Sequence, residues 1–299
     1  MNVLISGASG LIGGHLVPRL ERAGHHVFRL VRRKPSSPME RQWNPDERVD
    51  PIVLDRIDSV IHLAGENIGE GRWTEEKKRR IRESRVQGTR RLAQAIAEAP
   101  APPKSLVCAS AIGFYGDRGD TTLDEGSSAG AGFLPEVCRE WEAAADPARS
   151  RGVRVAHVRL GVVLSSEGGA LAKMLLPFKM GVGGVIGSGK QYWSCISVDE
   201  AAAVFRYAAE NDAVSGPVNA VCPEPVTNHD FTKTLGRILG RPTVFPLPAF
   251  MARLALGQMA DDLILSSARV VPAKLTAVGY PFAHPNLESS LRAALEGHR

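Results

Sequence analysis

An α/β fold, with a doubly wound parallel sheet and a smaller C-terminal α/β part, is predicted by three observations. Short β-rich runs alternate with helix-period segments over the first 160 residues, and such alternation lays strands parallel with helices on both faces. The first strand ends in a glycine-rich turn, Gly7-Ala-Ser-Gly10-Leu-Ile-Gly13, that opens a helix. After residue 160 the rhythm changes to glycine-rich segments, isolated strands and a helical, proline-punctuated tail. At about 150 residues per domain, a chain of 299 residues predicts two domains.

Each element has its own signal. Asn2 to Ser6 is a short β-rich run, and Leu11 to Ala23 reads as a helix with Leu11, Leu16 and Leu20 inward and Gly24 closing it. Pro18 opposes that pattern, but the strands on either side require a crossover. His26 to Val31 is the second strand. Pro35 to Pro51, with four prolines and few apolar residues, is expected to be a loop. Asp58 to Leu63 is a buried strand, and Thr74 to Ala97 is a long helix with Glu75 and Glu76 where the helix dipole favours acids. Lys104 to Ala109 is a strand, Phe133 to Ala145 a helix and Gly152 to Arg159 a strand. Thr227 to Asp230 has the form of a capping box before a helix to Leu239. The sheet is expected to recruit strands around Cys195–Val198 and Val218–Val221. The larger unit then comprises residues 1–160 with 192–222, and the smaller one 161–191 with 223–299.

Composition narrows the class. Hydrophobic residues at 43% and charged residues at 23% describe a packed chain rather than a disordered one. No apolar run approaches the ~18 residues of a membrane span, and MNVLISGASG lacks the basic start of a secretory signal. A cytoplasmic protein with no membrane partner is expected. Cys108, Cys138, Cys195 and Cys222 form no C-x-x-C pair, which argues against a disulfide framework or a metal site. The net charge of 37 − 32 = +5 fits either nucleic acid or a small anionic ligand.

The glycine turn decides between them. A lone glycine triplet is weak evidence, but here it follows the first strand of a β-α series. Glycines permit the tight turn and let the backbone approach a pyrophosphate, whose charge then meets the free N–H groups of the helix start. A Rossmann-type sheet is therefore expected. The alternative is an ordinary βα turn with close helix–sheet packing. An acid about 20 residues later would bind the ribose hydroxyls of NAD, but no Asp or Glu stands between Glu21 and Glu40. Arg32, Arg33 and Lys34 lie there instead, which suits a 2′-phosphate. NADP(H) is the expected cofactor, against the alternative of a solvated basic loop. On the long helix, Ile81, Gly88, Leu92 and Ile96 share one face with Arg85 among them, so Arg85 needs an anion or carbonyls. Lys77, Lys78, Arg79, Arg80 and Arg82 read as a solvated face without the interleaved aromatics of a nucleic-acid binder. No nucleic-acid partner is expected.

GASGLIG, the strand-end Leu63-Ala64-Gly65 and Ser110 resemble the extended short-chain dehydrogenase/reductases. LAGENI, GRWTEEKKRRIRESRV, SAIGFYG, RLGVVLSSEGGAL, GVGGVIGSGKQYWSCISVDE and LGQMADDLIL…RVVPAKL…GYPF narrow this to an atypical NAD-dependent epimerase/dehydratase branch, the epimerase family proteins. From about Pro246 the chain resembles a small domain of unknown function found in that branch. The resemblance implies a Rossmann domain preferring NADP and a smaller substrate domain. By motif position it implies Gly7, Ser9, Gly10, Leu11, Ile12 and Gly13 at the pyrophosphate and Arg32 and Arg33 at the 2′-phosphate. It sets Leu63, Ala64 and Glu66 along the riboses and Arg85 reaching the cofactor from its helix.

The departure lies in the catalytic pair. Short-chain dehydrogenases usually carry Y-x-x-x-K, in which the tyrosine moves a proton and the lysine lowers its pKa. Four residues after Tyr115, Tyr192, Tyr207 and Tyr280 stand Gly119, Ile196, Asn211 and His284, so the pair is absent. Its positions fall near Leu134 and Cys138. Cys138 reads as a buried structural thiol, and His62 as a satisfied core histidine. Ser110 and Tyr115 are the catalytic candidates, with Tyr115 either replacing the missing tyrosine or packing as a loop aromatic. GVGGVIGSGK lacks the Ser/Thr of a phosphate loop, because Gln191 follows Lys190. In the extended short-chain enzymes it resembles, the corresponding stretch lines the substrate domain, which implies Lys190, Gln191 and Trp193 as candidates for substrate contact, against the alternative of a structural loop. Three functions remain: an NADP(H)-dependent oxidoreductase acting on a small carbonyl or hydroxyl compound, a non-catalytic NADP(H)-binding sensor, and, ranked lowest, a sugar-nucleotide epimerase.

Overall fold

The computed structural model describes residues 1–296. Strand β1 (Asn2–Ser6) has Val3, Leu4 and Ile5 fully buried, because alternate side chains point to opposite faces and helices cover both. Helix α1 (Leu11–Arg22) runs on through Pro18 and buries Leu16, Val17 and Leu20. The proline ring faces the carbonyl of the residue four positions back. That residue is Gly14, the most pliable backbone the helix could offer there.

Strand β2 (His26–Val31) follows, and β3 (Glu40–Gln42) pairs with its outer edge, Arg29 with Glu40 and Val31 with Gln42. This corrects the expectation of an unbroken loop from Pro35 to Pro51. A three-residue polar edge strand has no apolar period to betray it, and the open ladder of β2 supplies its partner. β4 (Ser59–His62) is wholly buried. α2 (Glu75–Glu98) is capped by the Thr74 hydroxyl, which accepts from the Lys77 N–H. β5 (Ser105–Ala111) extends past its expected end and so places Ser110 within the sheet.

The chain continues through β6 (Thr122–Leu123), α3 (Phe133–Ala143), α4 (Asp146–Ser150), β7 (Arg154–Leu160), β8 (Val162–Leu164) and α5 (Gly169–Lys179). Then come β9 (Tyr192–Trp193), β10 (Cys195–Ser197), α6 (Val198–Glu210), β11 (Gly216–Ala220), β12 (Val226–Thr227) and α7 (Asn228–Leu239). The last elements are α8 (Ala249–Leu256), a π-helical turn at Ala260–Leu265, β13 (Arg269–Val270), α9 (Ala273–Ala277) and α10 (Leu287–Glu296). The capping box before α7 is present, with Thr227 and Asp230 bonding each other's backbone.

Seven parallel strands form the main sheet in the order β3-β2-β1-β4-β5-β7-β11. The order reverses between β1 and β4, and ligands of such sheets bind in the crevice outside the strand ends at that switch. β11 joins the sheet as expected, but Cys195–Val198 does not. β10 pairs with β8 in a separate ladder, since β11 already occupies the free edge of β7. Gly161 makes that branching possible: a Cβ there would lie 2.4 Å from the Ser194 carbonyl oxygen and 2.7 Å from a Val221 methyl.

One face of the sheet packs α1 and α6 around Leu16, Leu20 and Phe205, and the other packs α2 and α4 around Leu92, Ile96 and Ala148. A third core joins α5, α7 and α10 through Leu175, Phe231, Leu235 and Leu291. No helix among the described residues is long and apolar enough to cross a membrane. Leu16 is fully buried between α1 and the sheet. Leu16→Ala is expected to cost about 2–5 kcal/mol, seen as a lower urea midpoint at unchanged slope.

Candidate functional site

The switch point is built from close backbone approaches. Gly7 has φ +73°, and a Cβ there would meet the Ala64 nitrogen at 2.8 Å. At Gly13 a Cβ would lie 2.3 Å from the Gly7 carbonyl oxygen. Any larger residue would fill the cradle between the end of β1 and the start of α1. Gly10 is the N-cap, and no side chain caps the helix start. Its first N–H groups therefore face the crevice edge, where Ser9 is exposed and Leu11 and Ile12 are half-buried. This donor set fits a pyrophosphate.

At the end of β2, Arg32 is exposed and has no side-chain partner among the described residues. Arg33 holds Glu40 in a two-pronged pair at 2.5 and 2.8 Å. The Ser36 N–H and hydroxyl donate to the same carboxylate at 2.7 and 2.9 Å. The Arg33 hydrogen bond, with those from Ser36, holds the Glu40 carboxyl down at about 2.

Leu63 and Ala64 leave the end of β4 half-buried. Below them the Ser6 hydroxyl accepts from the Ala64 N–H at 3.3 Å and meets His62 Nδ1 at 2.5 Å. His62 is fully buried and its Nε2 has no partner among the described residues. Burial lowers its pKa to about 4, so the ring is neutral. The Arg85 guanidinium lies against Gly65, with Nη1 donating to the Glu66 and Ile81 carbonyls and its plane over Trp141. Its Nε and Nη2 make no hydrogen bond to the described residues, which leaves them free for an anion. Burial lowers the Arg85 pKa. Lys77 corrects the expectation of a solvated basic face. It is buried and bonds Glu66 at 2.6 Å, so it belongs to the site's wall.

Ser110, Arg159 and Asn219 are direct partners across β5, β7 and β11 and so share one face of the sheet. α3 covers that face. Glu142 accepts from the Ser110 hydroxyl at 2.7 Å and from Arg159 Nε and Nη2 at 2.8 Å each. The Tyr115 hydroxyl donates to the Asn219 side-chain oxygen at 2.7 Å and accepts from Arg159 Nη1 at 3.0 Å. Tyr115 sits in a 3₁₀ turn at Ile112–Tyr115 and is 0% exposed, and Ser110 is 1% exposed. Burial raises the Tyr115 pKa. Of the two readings of Tyr115, the packed aromatic matches this placement. Cys138 is buried, donates to the Ala111 carbonyl, and has its pKa pushed up to about 12 by burial.

Glu142, Arg159 and Asn219 are functional-site neighbours that sequence reasoning did not single out. The available signal was an arginine at the buried end of the strand RVAHVRL, and a glutamate one helical turn past Cys138.

The three substrate candidates are not brought together. Lys190 is exposed on an open groove of about 490 Å³ with Asp120, Tyr192, Thr227 and His229. Gln191 and Trp193 turn inward, and their N–H groups donate to the Ile264 carbonyl at 3.3 and 3.1 Å. Their donors are committed to holding the π-helical turn, so the structure assigns them structural work. The C-terminal segment also packs against the larger unit: Met259 and Leu256 share an apolar cluster with Trp73 and Phe133.

A parallel sheet with a glycine cradle at its switch point is the architecture of the extended short-chain dehydrogenase/reductases. The chain belongs to the NAD dependent epimerase/dehydratase family, whose profile matches residues 3–221. Residues 247–294 match a domain of unknown function, DUF1731. "Epimerase family protein Mb2239" of Mycobacterium bovis is 42% identical over 290 residues, covering 97% of this chain and 96% of that one. "Epimerase family protein SDR39U1" of Homo sapiens is 37% identical over 296 residues, covering 98% and 99%. The crystal structure of human SDR39U1 (isoform 2) with NADPH superposes with a TM-score of 0.88 at 35% identity and covers 99% of both chains.

Two outcomes test the buried polar groups. Arg159→Met and Glu142→Leu each strand a buried charge, and each is expected to cost about 3–5 kcal/mol. The double variant, free of unpaired charge, is expected to lose less than the sum of the two in urea unfolding. For His62 the folded pKa of about 4 lies below the ordinary 6.5, so between those values the unfolded chain binds the extra proton. Stability is then complete above pH 6.5 and falls as pH drops toward 4. The urea midpoint of His62→Gln is expected to fall less over that window.

Proposed function

We propose that this chain binds NADP(H) and acts as an oxidoreductase of the extended short-chain type on a small carbonyl or hydroxyl compound. The observation that carries it is the pair Arg32 and Arg33 at the end of β2, beside a cradle that only glycine fits. The crystal structure of the human relative with NADPH supports the same cofactor. When bound, the dinucleotide supplies or accepts hydride.

The chain's own groups do the rest. In this reading the N–H groups at the start of α1 hold the pyrophosphate, and Arg32 meets the 2′-phosphate with Arg33, fixed by Glu40, beside it. Leu63, Ala64 and Glu66 line the riboses, and Arg85 offers Nε and Nη2 to a cofactor oxygen. Ser110 and Tyr115 act as positioning residues in the floor beneath the reacting atoms. Their hydroxyls are already bonded to Glu142, Asn219 and Arg159, so the reacting proton is exchanged with water. Lys190, on the open groove, is the substrate contact.

A second reading, a non-catalytic NADP(H) sensor, is favoured by one observation: Ser110 and Tyr115 are closed off within a satisfied network. Net oxidation or reduction of bound nicotinamide by any carbonyl or alcohol pool, read in its absorbance band, rejects the sensor. Silence with the nucleotide demonstrably bound rejects the oxidoreductase.

The cofactor assignment is tested by thermal shift. A ligand at about 100 times its Kd stabilises the folded state by ~2.7 kcal/mol. NADPH and NADP are expected to raise Tm more than NADH and NAD, and Arg32→Ala/Arg33→Ala to erase the difference. A larger shift with NADH overturns it.

A further inference from the structure

Nine of the twelve large apolar side chains exposed on the described surface fall within residues 176–182 and 244–254. Leu176 and Met180 stand out from the end of α5, and Phe245, Phe250, Met251 and Leu254 from the segment leading into and along α8. The two segments are adjacent. The Gly187 N–H donates to the Leu247 carbonyl, the Leu247 N–H donates to the Val185 carbonyl, and a Cβ on Gly181 would lie 3.6 Å from the Pro242 ring. α8 turns nearly everything outward, with Ala252 its only buried residue.

The unpaired charge around this face is of one sign. No Asp or Glu occurs between residues 168 and 198 or between 231 and 260. Lys179 and Arg241 have no side-chain partner among the described residues. Lys173 and Lys233 donate only to neutral oxygens, of Gly69 and Thr243. Arg237 and Arg253 are paired, with Glu288 and Asp261. An exposed apolar face of this extent marks an interaction surface.

We propose that this face docks peripherally on an anionic lipid surface, with Phe250, Met251 and Leu254 entering the headgroup boundary and Lys173, Lys179, Lys233 and Arg241 facing the lipid phosphates. Apolar insertion combined with basic residues is how interfacial elements hold to anionic bilayers. A second copy of the chain meeting this face about a twofold axis would set the four cations against themselves. A protein partner is held in register by directed hydrogen bonds besides charge. Residues 244–256 contain no Ser, Thr, Asn, Gln, Asp or Glu, and a fluid lipid surface needs none. The absence of a spanning run speaks only to crossing a bilayer. The proposal departs from the expectation of no membrane partner.

The test is flotation of the full chain with phosphatidylcholine vesicles, with and without about 30% phosphatidylglycerol. The protein is expected to float several-fold more with the anionic vesicles and to be released at high salt. Phe250→Ser/Leu254→Ser, at unchanged Tm, is expected to reduce flotation by about tenfold, as is Lys179→Glu/Arg241→Glu. Equal flotation with both vesicles, or undiminished binding by the Ser variants, overturns the proposal. So does sedimentation of the wild type as a dimer that the Ser variants dissociate, which would assign the face to a second copy.

Discussion

Arg159 stands near the end of β7, inside a parallel sheet flanked by β5 and β11 and covered by α3. A guanidinium there has to be compensated on the spot, because an unpaired buried charge costs several kcal/mol. Glu142 supplies the countercharge through two 2.8 Å hydrogen bonds, and Arg159 also lies 3.5 Å over the Phe114 ring. Burial opposes the Arg159 charge, but the Glu142 hydrogen bonds and charge outweigh it and hold the guanidinium above its ordinary range. The consequences spread outward. The pair sets the height of α3 over the sheet, ties down Ser110, and fixes the turn that carries Tyr115. It also determines that the row Ser110–Arg159–Asn219 is a closed, satisfied unit rather than an open acid–base site.

The two halves of the site are thereby separable. The cradle at β1 and α1 depends on backbone shape alone, and no side chain of the Arg159 network contributes to it. What the family's usual Tyr-x-x-x-Lys pair provides, a mobile proton held beside a cation, is here replaced by a cation whose partners are all engaged. Lys77 is a different case. It is buried beside the β4 end with Glu66, so positive charge is still delivered to the site's wall, from α2 rather than α3.

What the sequence made legible follows from where information is local. The strand–glycine–helix junction, the capping box at Thr227 and the inward Arg85 are all decided within a few residues. β3 and the pairing of β10 were not, because a short strand owes its existence to a partner far away in sequence. The recruitment of β11 could be read and that of β10 could not. The difference is Gly161, whose role is to let Ser194 and Val221 approach, a contact no local pattern reveals. Gln191 and Trp193 stand with Lys190 as substrate candidates only through the stretch that lines the substrate domain in the enzymes the chain resembles. The strand period sends them the other way, into the Ile264 carbonyl. The Glu142–Arg159 pair was hidden for a related reason: the two residues are 17 apart, on different elements, and only the sheet register brings them to Ser110.

Glu40 presents the remaining tension, since an acid beside Arg33 at first argues against a phosphate there. The geometry points the other way. The carboxylate gathers two guanidinium nitrogens, a backbone N–H and a hydroxyl within 2.9 Å, which is the donor set of a phosphate site. Held at about 2, Glu40 stays ionised throughout the physiological range and keeps those donors in place. It reaches them from β3, whereas Arg32 extends from the end of β2 with no side-chain partner among the described residues. One arginine is thus fixed by an internal anion and the other left free, which keeps an uncompensated positive charge at the end of β2. That is the property distinguishing a 2′-phosphate site from one that binds free ribose hydroxyls through an acid.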